Sequence, residues 1–247
     1  MLEKIILYEA VHQITGWDDL RRRVAAPDRR LYAFFHPALV DDPLVFVEVA
    51  LTEEMPDAIG PILAEKRDPL PPEDARTAVF YSISNCQPGL RGISFGSFLI
   101  KQVVEALRTE FSGLSTFVTL SPVPGLRAWA EGEADGLGER DRETLRALDA
   151  SGSGPRAREL AARYLIEARH DRGGARDPVA RFHLGNGARL ERINAEADMS
   201  ARGRAGSWGV MVNYLYDLET IEKNHETYTG TGEVIAAPSV RRLLRNR

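Results

Sequence analysis

Four side chains in this 247-residue chain have the type and setting to do chemistry: Cys86, Ser121, His183 and Tyr216. Ser121 follows the apolar run Thr116 to Leu120 and precedes Pro122. Proline holds the residue before it extended, so this hydroxyl is either presented at a sheet edge or used in a turn. His183 lies one turn ahead of the stop Gly185-Asn186-Gly187, between Phe182 and Leu184. An imidazole there can trade protons or simply pack. Tyr216 closes a late apolar run, where packing is the default and a phenol donor the alternative. Cys86 opens a glycine-rich loop, either as a nucleophile or as a small buried hydrophobe. The five histidines, His12, His36, His170, His183 and His225, form no H-x-x-x-H or H-E-x-x-H pair. No metal site is therefore expected.

The stretch from Thr77 to Gly125 must position these groups. Its start, T-A-V-F-Y-S-I-S, is too short for a helix and rich in strand formers, so it reads as a strand buried on both faces. Gly89, Gly92 and Gly96 then allow a tight turn and a close approach to a ligand. Leu99, Val103, Leu107 and Phe111, with Ala106 beside them, predict one apolar stripe on a helix. A glycine loop opening a helix turns free N–H groups toward an anion such as phosphate. The spacing is neither that of a Walker loop nor of a dinucleotide fingerprint, so a plain structural turn stays open. Thr116 to Leu120 predicts a second strand that ends at Ser121-Pro122.

Composition sets bounds on the rest. Apolar residues make up 43% and charged residues 28% of the chain, as in ordinary globular proteins. The net charge of −4 lacks the basic excess of a nucleic-acid binder. A single cysteine excludes an internal disulfide and suits a reducing, cytoplasmic compartment. The first residues hold too short an apolar run for a signal peptide, and no stretch nears the ~18 apolar residues of a membrane span.

Residues 1–30 read as a helical lead-in, in which Trp17 to Val24 forms a short helix with a solvated basic face. Leu31 to Phe35 and Leu44 to Leu51 predict an antiparallel hairpin through Asp41-Asp42-Pro43. Thr52 can cap a helix running from Glu53 to about Lys66. Further helices are expected over Pro124 to Ala130, Arg140 to Ala150 and Arg156 to His170. Asp177-Pro178 is a helix start, a capping carboxylate followed by proline at the first helical position. Helix is also expected over Ala188 to Met199, Asp217 to Asn224 and Ser239 to Arg245, with a T-Y-T-G-T-G loop between the last two. Ser207 to Tyr216 predicts the last strand. The fold class is α+β, with one mixed, largely antiparallel sheet flanked by helices. The domain reading is a lead-in of residues 1–30 and a main domain of residues 31–247, with a helical insertion at about 126–200.

The strand, glycine loop, helix and strand of residues 77–120 resemble the core of the Gcn5-related N-acetyltransferase superfamily. The wording is similar, more closely, to the malonyl-CoA decarboxylase family. The stretches that carry this are Y-E-A-V-H at 8–12, W-D-D-L-R-R-R-V at 17–24, F-Y-S-I-S at 80–84, G-L-R-G-I-S-F-G-S-F-L-I-K-Q-V-V at 89–104, L-S-P-V-P-G at 120–125, D-P-V-A-R-F-H-L-G-N-G-A at 177–188, R-I-N-A-E-A-D-M-S-A-R-G at 192–203 and N-Y-L-Y at 213–216. Their order is preserved over almost the whole chain.

The resemblance implies conversion of malonyl-CoA to acetyl-CoA and CO2, a carboxy-lyase reaction, with no metal or organic cofactor. It places the catalytic serine on Ser121, the catalytic histidine on His183 and an active-site tyrosine on Tyr216. It implies that Gln87, Gly89, Leu90, Arg91, Gly92 and Gly96 hold coenzyme A, with Arg91 and Lys101 as cations for its diphosphate. Losing CO2 leaves an enolate, so neutral hydrogen-bond donors suit the site; a strong cation on the carboxylate would favour the ground state. Which of Ser121 and His183 delivers the proton is open. The family usually carries a preceding helical domain that serves assembly, while about 30 residues precede the first expected strand here; a homo-oligomer is left open. Some relatives have a glutamate where Ser94 stands, and the block from Gly125 to Asp177 is shorter. A CoA-dependent acyltransferase on the same fold, or a non-catalytic CoA-binding module, are the competing readings. Neither nucleic acid nor membrane is an expected partner.

Overall fold

The apolar run that starts at Thr77 forms a strand of nine residues, Thr77–Asn85, buried along nearly its whole length. Its neighbours explain why both faces are apolar. In the computed structural model, which describes residues 2–39, 42–87, 89, 96–133, 136–171 and 173–244, the chain forms two compact units. One comprises residues 1–56 and 61–119, the other residues 57–60 and 120–247.

In the first unit, helices α1 (Leu2–Tyr8) and α2 (Trp17–Val24) precede strands β1 (Arg29–Phe35) and β2 (Pro43–Thr52). A single helical turn, α3 (Gly60–Leu63), leads on to β3 (Thr77–Asn85), helix α4 (Gly96–Glu110) and β4 (Thr116–Thr119). The strands lie in the order β1-β2-β3-β4. β1, β2 and β3 pair antiparallel, and β3 pairs parallel with β4. A parallel pair needs a crossover, and α4 supplies it. Its buried stripe is Ile100, Val103, Val104 and Leu107, each worth roughly 1.5–3 kcal/mol when fully buried; Ala106 faces solvent. Ile5, Ile14 and Leu20 of the lead-in pack with Phe46 and Cys86 in one apolar cluster. Burial there pushes the Cys86 thiol up to about 11, which suits a packing residue rather than a nucleophile.

Two expectations fail in this unit. The helix expected from Glu53 to Lys66 is only the single turn α3. Pro56 and Pro61 interrupt it, and Thr52 belongs to β2, its hydroxyl donating to the Glu54 carbonyl. The basic face of α2 is not wholly solvated either. Arg23 is buried, bound to both oxygens of Asp19 and to the carbonyls of His12 and Gln13. Of the hairpin turn, Asp41 lies outside the described residues.

The second unit contains β5 (Ser121–Pro122), α5 (Leu126–Gly132), α6 (Glu139–Ser151), α7 (Ala157–Ile166), α8 (Pro178–Gly185), β6 (Arg189–Asn194), α9 (Ala201–Ser207), β7 (Met211–Leu215), α10 (Ile221–Thr231) and α11 (Pro238–Leu243). β7 pairs antiparallel with β5 and with β6. The fold class is thus α+β, with mixed and largely antiparallel strand pairing and helices around it.

Here the corrections have local causes. Residues 188–199 hold a strand, β6, not a helix. Leu190 and Ile193 are three apart, as on a helix face, but a bulge between Leu190 and Arg192 shifts the register, so both are buried from a strand. Ser207 ends α9, and Trp208 and Gly209 turn through positive φ, so β7 starts only at Met211. Ser121-Pro122 does not merely end a strand but forms the short strand β5. The threonine-rich loop expected after Asn224 is helical in α10, where Thr227, Thr229 and Thr231 donate to carbonyls four residues back. The α7 helix stops at Ile166, four residues earlier than expected.

Candidate active site

Three chain segments of the second unit meet at one imidazole. Ser121 pairs with Val212 and Pro122 with Met211. Cross-strand partners share a face, and residues two apart on a strand share one too. Ser121 therefore lies on the same side as Val212 and Tyr214, and Tyr216, one residue beyond β7, continues that series. His183 comes from α8, whose start follows the sequence signal: Asp177 accepts a hydrogen bond from the Ala180 N–H at 2.8 Å, and Pro178 follows it. The far end of α8 is held as tightly. The His183 carbonyl accepts from the N–H groups of Asn186 and Ala188. Gly187 has a φ of +81°, and a Cβ there would lie 2.1 Å from the Ile221 carbonyl oxygen, so only glycine fits this stop.

The result is a chain of three neutral groups. The Ser121 hydroxyl lies 3.1 Å from His183 Nε2, and the Tyr216 hydroxyl lies 2.7 Å from His183 Nδ1. Ser121 is 6%, His183 4% and Tyr216 1% exposed, so the charged forms are disfavoured. Burial pushes the imidazole down to about 3 and the Tyr216 phenol well above its ordinary value. The Tyr214 ring stacks on the imidazole at 4.7 Å between centroids and 23° between planes, while Phe182 meets it edge-on at 5.0 Å and 80°. Burial also raises the capping carboxyl of Asp177 to about 6.

A serine hydrogen-bonded to histidine suggests acyl-enzyme chemistry, but the third member decides otherwise. In the serine hydrolase arrangement a carboxylate on Nδ1 stabilises the imidazolium. Here Nδ1 meets a phenol that stays protonated. The arrangement can orient a hydroxyl, donate hydrogen bonds to a developing oxyanion and pass a proton; it is poorly built to generate a serine alkoxide.

A family model described as the malonyl-CoA decarboxylase C-terminal domain matches residues 1–247. The chain belongs to the malonyl-CoA decarboxylase family. The mitochondrial malonyl-CoA decarboxylase of Rattus norvegicus is 38% identical over 283 residues, covering 99% of this chain and 56% of the relative. The chain thus spans about half the length of the curated relatives it matches. The crystal structure of malonyl-CoA decarboxylase from Rhodopseudomonas palustris is 53% identical, with a TM-score of 0.91, covering 98% of this chain and 62% of that one. A GNAT-like decarboxylase, GphF, in complex with isobutyryl-CoA aligns at a TM-score of 0.55 and 21% identity, covering 88% of this chain and 94% of its own. That likeness places the fold of this family member among the acetyltransferase-like folds, as its strand, loop and helix pattern implied.

Of the residues singled out from sequence, the structure brings Ser121, His183 and Tyr216 together. Gln87, Gly89, Gly96 and Lys101 belong to the first unit; the Gln87 side-chain amide donates to the Pro43 carbonyl at 3.1 Å. Leu90, Arg91, Gly92 and Ser94 lie outside the described residues. Sequence reasoning missed Tyr214. The signal was present in N-Y-L-Y: two tyrosines two apart on a strand share a face, so both face the imidazole. Among the described residues no helix is long and apolar enough to cross a membrane.

Proposed function

We propose that this chain decarboxylates malonyl-CoA to acetyl-CoA and CO2. One observation carries the reading: a buried histidine whose two ring nitrogens each meet a neutral hydroxyl, in a member of this family. The bond between the carboxyl carbon and the α-carbon breaks, and its electron pair moves to the thioester oxygen as an enolate. Neutral donors favour that oxyanion over the ground state, and one well-placed donor is worth about 3–4 kcal/mol. The α-carbon then takes one proton, so malonyl-CoA plus a proton gives acetyl-CoA plus CO2.

The geometry favours an order of roles. His183 has both ring nitrogens engaged, whereas a hydroxyl can donate and accept at the same time. Ser121 is therefore the group that hydrogen-bonds the thioester oxygen or hands over the proton. The proton Ser121 gives up is replaced from Nε2 of His183 as Nδ1 takes one from the Tyr216 hydroxyl, and the trio regains the spent proton from water at the end of the cycle, so no member is left charged. In this reading the amides from Gln87 to Gly96 hold the diphosphate of coenzyme A, with Arg91 and Lys101 as cations. It calls for no organic cofactor or metal, and no nucleic-acid partner. The single cysteine, a buried free thiol, supports a reducing, cytoplasmic setting, and assembly into a homo-oligomer is compatible with this reading.

The test is to incubate purified protein with malonyl-CoA and follow acetyl-CoA and CO2. Release of both without any acceptor supports the reading. Product formed only when an amine or carrier thiol is supplied would replace it with acyl transfer, and binding without turnover would leave a CoA-binding module.

A further inference from the structure

We propose that Tyr214 is a positioning residue: its stacked ring sets the plane of the His183 imidazole, so that Nε2 meets Ser121 and Nδ1 meets Tyr216 at the same time. This rests on the reading of Ser121, His183 and Tyr216 as one working unit.

The two contacts at 3.1 and 2.7 Å fix where the ring nitrogens point only if the ring plane is itself fixed. Hydrogen bonds weaken steeply as the N–H direction leaves the line to the acceptor. An imidazole on two single bonds can tilt, and what opposes tilting is matter against its faces. Tyr214 supplies a large flat surface, nearly parallel to the imidazole, and is itself fully buried. Phe182, edge-on, closes a second side but cannot define the plane.

The backbone explains why this residue is suited to the task. Tyr214 sits in β7, with Leu190 of β6 as its register partner, and Ser121 of β5 pairs two residues earlier, at Val212. Tyr216 follows two positions on. One extended segment therefore aligns the serine through Val212, stacks the imidazole through Tyr214 and bonds it through Tyr216. An aliphatic side chain of similar volume would fill the space but leave the ring free to rock. The ring of Tyr214, rather than its hydroxyl, is the part that matters.

The experiment compares Tyr214→Phe, Tyr214→Leu and Tyr214→Met. Activity on malonyl-CoA is read as separate kcat and KM values, and nitrogen-15 NMR of histidine-labelled protein reads the tautomer and ring N–H of His183. Tyr214→Phe should keep kcat within about threefold and retain a single His183 tautomer. Tyr214→Leu should lower kcat about ten- to hundredfold with KM nearly unchanged, the usual scale for a misplaced catalytic group, and its His183 signals should average between tautomers. Tyr214→Met, which repacks more readily, answers the same question if the leucine variant does not fold. Leucine or methionine variants with wild-type kcat and an unaltered His183 spectrum would overturn the proposal, as would a Tyr214→Phe loss as large as the leucine loss. If the wild-type protein does not decarboxylate malonyl-CoA, the functional reading falls, yet the His183 spectra still decide what Tyr214 does.

Discussion

Each unit buries a polar cluster, and the two are built on opposite terms. In the second unit, Ser121, His183 and Tyr216 are neutral and hydrogen-bonded to one another. In the first, the cluster is charged. Glu9 accepts from Ser82, Ser84 and the backbone of Val11 and His12. Glu48, fully buried opposite Ser82 on the neighbouring strand, has Arg23 at 3.7 Å. The Tyr81 hydroxyl lies near enough to bias its ionisation. Burial first, and the charge of Glu9 second, push the Glu48 carboxyl up to about 7. The difference teaches that burial alone does not mark a site. A neutral, satisfied trio can stand ready for a ligand whose charge appears only during reaction, whereas a buried charge must be balanced by its own structure at all times.

The sharpest break in that comparison is Arg23→Ala. It removes the guanidinium beside Glu48 and leaves Asp19 with only Arg22 and Thr15 among the described residues. The change should cost about 3–5 kcal/mol in denaturant unfolding, as for other broken buried pairs. Replacing Arg23 and Glu48 together with apolar residues should recover most of that loss. A single mutant as stable as wild type would show that the charged cluster is not under tension.

Next come Ser121→Ala and His183→Ala. Each should lower kcat by about a hundredfold or more, the scale of a lost oxyanion donor, while melting temperature changes little. Full activity in both would remove the second cluster from the chemistry.

The pH response should also separate the clusters. Because Glu48 rises from 4.5 to about 7 on folding, the folded state holds its proton more tightly than the unfolded chain does. Its contribution favours the fold below about 4.5, shrinks as pH rises and is lost above about 7. The fall is about 2–4 kcal/mol. Stability measured across that range should decline in wild type and flatten in Glu48→Gln. By contrast, His183 is held near 3, so kcat should carry no imidazole limb near neutrality. An acid limb near 6 would belong to Asp177, and Asp177→Asn should remove it.

Within the trio itself, the smallest expected effect is that of Tyr216→Phe. Losing one neutral hydrogen bond to Nδ1 should lower kcat by about tenfold, near the ~1 kcal/mol typical of such bonds. A loss as large as that of Ser121→Ala would make the phenol a proton donor in its own right.

What the amino-acid sequence determined by itself was local. The buried run of β3 and the Val103 and Leu107 part of the α4 stripe were legible because apolar period acts over a few residues. So was the start of α8, since Asp177 and Pro178 satisfy the helix end without help from elsewhere. The ordered motifs of the family were legible for the same reason, and they named Ser121, His183 and Tyr216 one by one.

Tertiary structure decided how those pieces combine. β6 carries helix-like spacing, and only pairing with β7, through a bulge, makes it a strand. Arg23 looked like a solvated charge until Asp19 and the turn at His12 and Gln13 enclosed it. The contacts of His183 reach 62 residues back to Ser121 and 33 forward to Tyr216. Such contacts depend on strand register and helix placement, which no short window of sequence contains. The ring of Tyr214 belongs to the same class: its residue type was written in N-Y-L-Y, but its place against the imidazole was set by the pairing of β5, β6 and β7.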